Sequence, residues 1–328
     1  MTTVSTDHLT GLIAAPHTPF DAQGAVRFDV IEAQADWLES QGVSGVFVCG
    51  TTGEGASLTN EERKQVAHRW IKAAGRRLHV IVHVGHASLA EACDLAQHAA
   101  ALQPFAISAV PPSFFKPASI DSLVETCRHI AAAAGNVPFY YYHIPSMTGV
   151  DLSMTAFLLS AAERIPTLRG IKYTHGDLLE YRQCLTLMDG RFDVPFGRDE
   201  MLLCGLALGA RSAVGSTYNY AAPHYLNLIK AFEAGEWSTA RGAMDAVGPL
   251  ISLLRECGEI ASAKAIMSLL GIPCGNPRLP LRPLSASQVR RVEQFVETWS
   301  GFKRRDHSSM TSSAHSTSTI LTASAGKH

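Results

Sequence analysis

Lys172 stands inside a short strand-like run, Leu168-Arg169-Gly170-Ile171-Lys172-Tyr173-Thr174. Period-two alternation puts Gly170, Lys172 and Thr174 on one face and Ile171 and Tyr173 on the other. With Ile171 and Tyr173 facing covering helices, the Lys172 amine points inward, where desolvation favours the neutral form that attacks a carbonyl carbon. Gly170, two residues earlier, is expected to leave space for a substrate carbon chain. The competing expectation is a lysine paired with an interior carboxylate for structural reasons, and on this run alone the two are even. The remaining lysines, Lys264, Lys303 and Lys327 among them, fall in helical or tail segments where a solvated position is expected.

Tyr142 shifts that balance. It ends Phe139-Tyr140-Tyr141-Tyr142, the apolar run before the lysine's, and a phenol beside an amine can relay protons to a carbonyl oxygen or an alcohol. Tyr140 and Tyr141 read instead as core tyrosines with satisfied hydroxyls. A third group is Gly50-Thr51-Thr52-Gly53-Glu54, whose backbone N–H groups and threonine hydroxyls form a compact donor set for a small anion. Taken alone it is a phosphate loop or an ordinary turn. No Lys-Ser/Thr pair follows it, as a phosphate-binding P-loop requires. Asp199 and Glu200, in Gly197-Arg198-Asp199-Glu200, can accept hydrogen bonds from a polyol, with Ser216 of Gly215-Ser216-Thr217-Tyr218-Asn219 nearby. The same acids also suit a helix start, where the dipole favours them.

These residues sit at the C-terminal ends of eight short apolar runs: 12–15, 43–49, 78–84, 106–110, 137–142, 168–173, 192–196 and 212–215. Helix signals lie between them, such as Thr59-Asn60-Glu61-Glu62 and Ser88 ahead of Glu91. Runs recurring roughly every 30 residues with helices between them predict βα units on a parallel sheet. Eight units favour a closed (β/α)₈ TIM barrel of α/β class over residues 11–220, with chemistry where strands end. No GxGxxG follows the first run, which argues against an open dinucleotide-binding sheet. Beyond Gly215 only helical patterns remain (222–234, 237–255, 260–270 and 285–299), predicting a helical annex over 221–301. Residues 1–10 are expected to be a leader and 302–328, rich in Ser and Thr, a disordered tail.

Bulk composition narrows the partners. The 328 residues are 46% hydrophobic and 17% charged, below the roughly 25% charge of ordinary soluble domains, which hints at surface covered by sister subunits. A net charge of -1 and a pI near 6.9 offer no basic field for nucleic acid or an anionic membrane. No run approaches the ~18 apolar residues of a membrane helix. Seven scattered cysteines without a CxxC pair read as reduced thiols in a cytoplasmic protein. His79, His83 and His86 raise a metal-dependent hydrolase as a rival. His79 and His83, however, lie about 13 Å apart on an extended strand, and no HxH or HExxH is present.

The motifs GTTGE, YYYHIPSMTGV (140–150), GIKYTHGDL (170–178), GRDE and GSTYN together resemble the N-acetylneuraminate lyase and dihydrodipicolinate synthase family of Schiff-base aldolases, in order from about Leu12 to about Trp299. The resemblance implies a (β/α)₈ barrel in which Lys172 forms an imine with pyruvate and Tyr142 handles protons. The GTTGE turn would hold the pyruvate carboxylate, with Glu54 orienting it. Further substrate contacts fall to Thr51, Thr52, Thr174, Gly197, Asp199, Glu200 and Ser216, and no cofactor or metal is implied. Where the synthases carry an arginine two residues past the proline of the tyrosine motif, this chain has Met147, so an anionic aldehyde loses its bidentate partner. The GRDE and GSTYN segments look like the sialic acid lyase pattern. The implied reaction is thus reversible cleavage of N-acetylneuraminate to pyruvate and N-acetylmannosamine, with a synthase reaction as runner-up. A non-catalytic sugar-acid sensor is the alternative of another class; it would be expected to lose Lys172 or Tyr142. Many relatives place a tyrosine in the loop after the fourth strand that reaches a neighbouring subunit's site. Here that loop carries Phe114 and Phe115, which moves proton transfer onto Tyr142, Thr52 and Thr174. His143 replaces an Asn common in bacterial relatives. Relatives are commonly homotetramers.

Overall fold

The computed structural model describes residues 8–302; most of the expected leader and tail, with Lys303 and Lys327, lies outside the described residues. Seven parallel strands form one curled sheet: β1 (Gly11–Ala14), β2 (Gly45–Val48), β3 (His79–His83), β4 (Ala106–Ala109), β5 (Phe139–His143), β6 (Leu168–Tyr173) and β7 (Ser212–Gly215). Their order is β6-β5-β4-β3-β2-β1-β7. The helices are α1 (Val30–Ser40), α2 (Asn60–Ala74), α3 (Leu89–Ala101), α4 (Ile120–Ala133), α5 (Pro145–Thr148), α6 (Met154–Arg164), α7 (Leu178–Thr186), α8 (Leu202–Ala207), α9 (Tyr218–Glu233), α10 (Trp237–Asp245), α11 (Gly248–Cys257), α12 (Glu259–Leu269) and α13 (Ala286–Thr298). None of the helices among the described residues is long and apolar enough to cross a membrane.

Segment 192–196, expected as a strand, makes isolated parallel bridges to both sheet edges rather than a regular ladder. On one side Ile171 N donates to Asp193 O at 2.9 Å and Tyr173 N to Pro195 O at 3.0 Å. On the other, Phe196 N donates to Ser212 O at 3.0 Å and Val214 N to Phe196 O at 2.9 Å. Pro195 has no N–H to donate, which thins the ladder there. A Cβ on Gly170 would come within 1.7 Å of the Asp193 carbonyl oxygen. Glycine at 170 therefore admits this segment; the room expected for a substrate chain is not what it provides.

Alternation along the strands separates two cores. Ile13, Phe47, Ile81, Tyr140, Tyr142 and Val214 cluster inside the sheet's curl, joined by Leu9 from within the expected leader. Ile171, Tyr173 and Tyr141 pack with the helices in the other cluster. Tyr140 donates to Asp193 Oδ2 at 2.7 Å, as expected of a core tyrosine. The Tyr141 hydroxyl, expected to be satisfied too, has no hydrogen-bond partner among the described residues.

Local signals hold where they were strongest. Thr59 and Glu62 form a reciprocal capping box on α2, and Ser88 caps α3 through Glu91 N. The helix expected over 237–255 is instead α10 and α11, with Pro249 in the first turn of α11, where its missing N–H costs no helical hydrogen bond.

Candidate active site

Lys172 is paired in register with Tyr142 across β5 and β6, so both side chains project to the same interior side. The lysine is only 6% exposed. Its Nζ lies 3.8 Å from the Tyr142 ring centroid and 4.1 Å from that of Phe47. No carboxylate lies within 4.0 Å of it among the described residues, which removes the structural ion pair weighed above. Aromatic faces attract a desolvated cation by roughly 2 kcal/mol. This box therefore suits an amine that passes through a protonated imine. Phe47 was missed from sequence, although its place on the inward face of β2 follows from the same alternation.

The Tyr142 hydroxyl is 3.4 Å from Thr51 Oγ1. Thr51 begins the tight turn after β2, where Glu54 N donates to Thr51 O at 3.0 Å and Gly55 N to Gly50 O at 3.1 Å. Glu54 takes a left-handed conformation, with φ 53°, and points away from the turn's open side. Its Oε1 pairs with Lys264 Nζ at 2.5 Å and its Oε2 accepts from Arg278 N at 2.8 Å. Lys264, expected to be solvated, is 0% exposed on α12. Burial pulls its pKa down and Glu54 opposes this. Arg278 also clamps Glu62 and the carbonyls of Gly24 and Ser57. The threonine turn is thus braced by Lys264 from α12 and Arg278 from the segment between α12 and α13.

Two adjoining cavities meet at this turn. One, of about 410 Å³, is lined by Thr51, Thr52, Asp199, Glu200 and Ser216 together with His17 and residues of α11 and α12. The other, of about 380 Å³, is lined by Thr51, Thr174, Gly197 and Glu200 together with His175 and Arg198. They share Thr51, Met147, Glu200 and Glu259. All seven residues expected to contact substrate line one or both, and the Thr51 to Tyr142 contact ties them to Lys172.

The walls differ in what they can still bind. Asp199 Oδ2 accepts from Thr217 N at 2.8 Å and Thr217 Oγ1 at 2.6 Å, and burial raises its pKa against those bonds. Asp199 and Glu200 also open a short helical turn that runs into α8, so they serve the helix start as well as the cavity wall. Glu200 is held by Arg198 at 3.0 Å and approached by Arg255 at 3.8 Å. Thr174 Oγ1 is buried with no hydrogen-bond partner among the described residues. A Cβ on Gly197 would come within 1.9 Å of that oxygen, so glycine is what lets it stand there.

The three histidines of the rival hydrolase serve three separate ends. His83 Nδ1 donates to Cys49 O at 3.1 Å while its Nε2 accepts from Val110 N at 3.2 Å. Burial, then the nearby Arg63 and Lys172, hold it neutral. His79 packs at a tilt against the Phe105 ring, and His86 Nδ1 accepts from Ser88 N. His17, unremarked in sequence, is buried at the cavity wall, and burial followed by the Lys264 charge lowers its pKa to about 3.

Residues 8–299 match the model of the dihydrodipicolinate synthetase family. The chain belongs to this family. It is 42% identical over 295 residues to N-acetylneuraminate lyase of Gallus gallus, covering 88% of this chain and 96% of that one. Among solved structures, the N-acetylneuraminate lyase (sialic acid aldolase) of Aliivibrio salmonicida superposes with a TM-score of 0.89 at 50% identity, covering 90% of this chain and 99% of that one. The N-acetylneuraminate lyase of Proteus mirabilis does so with a TM-score of 0.88 at 46% identity, covering 90% and 100%.

Proposed function

We propose that this chain is an N-acetylneuraminate lyase, reversibly cleaving N-acetylneuraminate to pyruvate and N-acetyl-D-mannosamine through an imine on Lys172. The observation that carries this reading is the buried Lys172 amine between the Phe47 and Tyr142 rings, with the Tyr142 hydroxyl on Thr51. The names of the relatives give the substrate class.

The Lys172 amine attacks the ketone carbon of the open-chain sugar acid, and the departing hydroxyl takes the Tyr142 phenolic proton and leaves as water, giving a protonated imine and a Tyr142 phenolate. Tyr142 removes the proton from the hydroxyl on the carbon beyond the adjacent methylene. The carbon–carbon bond between them breaks, its electron pair passing into the imine nitrogen as the aldehyde forms. The enamine takes a proton at carbon, and hydrolysis returns pyruvate and the free amine. The Thr51 and Thr52 donors hold the carboxylate, while Thr174, Gly197, Asp199, Glu200 and Ser216 frame the polyol. Met147 at the shared wall offers no cation for a second carboxylate, which favours the neutral aldehyde over aspartate semialdehyde.

In this reading segment 192–196 is the eighth strand, closing a (β/α)₈ barrel by bonding both edges. Residues 11–220 then form the catalytic barrel and 221–301 an annex that walls the cavity. The seven unpaired cysteines suit a reducing, cytoplasmic setting. Phe114 and Phe115, 81% and 85% exposed and packed edge to face, suit a contact between copies in a homotetramer. Side-by-side assays of N-acetylneuraminate cleavage and of pyruvate condensation with aspartate semialdehyde test the assignment. Preference for the first is expected, and preference for the second contradicts it.

A further inference from the structure

Outside the lysine box, three potential ligands converge beyond the ends of two neighbouring strands. His143 closes β5, His175 follows β6 by two residues, and Asp151 lies in the loop between α5 and α6. One ligand atom from each lies within 4.8 Å of the other two. His143 is 0% exposed, yet neither of its ring nitrogens has a hydrogen-bond partner among the described residues. It is held in place by the Tyr173 ring at 5.2 Å and by the His175 ring at 5.4 Å, edge to face. His175 Nδ1 is likewise without a hydrogen bond and stands 4.0 Å from Asp151 Oδ1, too far for one. A buried imidazole with both nitrogens unmet is costly by roughly 1–3 kcal/mol per group, so such groups point to a missing partner.

We propose that His143, Asp151 and His175 form a binding site for a divalent transition-metal ion of the zinc class, on the outer side of β5 and β6. Two imidazoles and one carboxylate suit Zn²⁺, Co²⁺ or Ni²⁺, whereas Mg²⁺ and Ca²⁺ prefer all-oxygen shells. Ligands about 2.0–2.1 Å from a tetrahedral ion lie roughly 3.4 Å apart. The half-buried His175 and the exposed Asp151 can close the remaining gap, at most about 1.4 Å, by side-chain rotation, while His143 is fixed by its packing. Because Thr174 N donates to His143 O at 2.8 Å and His175 lines the smaller cavity, the bound ion would clamp the two strand ends beside that cavity.

The test uses untagged full-length protein, stripped with chelator and titrated with Co²⁺. One equivalent is expected to give a visible ligand-field band that Zn²⁺ abolishes, and Zn²⁺ but not Mg²⁺ or Ca²⁺ should raise the Tm. His175→Ala and Asp151→Asn should each weaken Co²⁺ binding at least about tenfold and remove the Zn²⁺ shift in Tm. His143→Asn should do the same where it folds; the two more accessible positions carry the test where it does not. Absence of the band, or a band and Tm shift unchanged in His175→Ala and Asp151→Asn, would overturn the site and place any bound ion on the thiols or other histidines.

Discussion

At the scale of single residues, the proposed chemistry rests on an amine, a phenol and a hydroxyl in contact. Tyr142→Phe keeps the ring beside Lys172 but removes the proton carrier. It should lower kcat for N-acetylneuraminate cleavage by about 10²–10⁴-fold while still allowing imine formation with pyruvate. Rapid quench with borohydride separates the two effects, and an unchanged kcat would remove Tyr142 from proton transfer. Replacing Thr51 and Thr52 together by valine should weaken pyruvate binding more than any change at Asp199 or Glu200, as read by product inhibition. Unaltered inhibition would reduce the motif to a turn. The shared inward direction of Lys172 and Tyr142 was legible in the sequence because strand alternation fixes which way a side chain points. Lys264 was not, because a lysine on a helix reads as solvated unless its neighbours speak against it. They do here: Ile260-Ala261-Ser262-Ala263-Lys264-Ala265-Ile266-Met267 is apolar nearly all round, the mark of a buried helix.

At the scale of elements, the site depends on how the strand ends are held. Glu54 and Lys264 link the threonine turn to α12, and breaking such a buried pair costs about 3–5 kcal/mol by leaving one charge uncompensated. Lys264→Ala should therefore lower the Tm sharply and raise the KM for pyruvate in the condensation direction. A stable variant with wild-type KM would show that the brace does not position the turn. Gly170→Ala brings a methyl against the Asp193 carbonyl and should expel segment 192–196 from the edge of β6, with loss of soluble protein or a large fall in Tm. A wild-type melting curve would contradict that close approach. Seven of the eight expected strands appear as such, since runs of branched apolar residues mark buried parallel strands well. Segment 192–196 departs because Pro195 interrupts its donors. The helix over 237–255 departs ahead of Pro249, which takes the first turn of α11 although the apolar period runs through it.

At the scale of the whole molecule, stability follows from buried groups and the proposed assembly from exposed aromatic surface. His17 has a folded pKa of about 3, below its ordinary 6.5, so the unfolded chain binds the extra proton between these values. Its contribution is full above about pH 6.5 and is lost as pH falls, amounting to roughly 2 kcal/mol by pH 5. His83 acts in the same direction. The Tm should fall between about pH 7 and pH 5, less steeply in His17→Asn, as followed by calorimetry. A pH-independent Tm over that range would contradict burial of these rings in the neutral form. Replacing Phe114 and Phe115 by serine should lower the mass measured by light scattering if they bridge copies of the chain. An unchanged mass would move the interface elsewhere. The exposure of Phe114 and Phe115 was not legible in composition, because it is a property of the folded loop.

The most direct measurement is reduction by borohydride in the presence of pyruvate, followed by peptide mass mapping. A single carboxyethyl adduct on Lys172, with cleavage activity lost in proportion, is the expected result. An adduct on another lysine, or inactivation without any adduct, would contradict the imine mechanism.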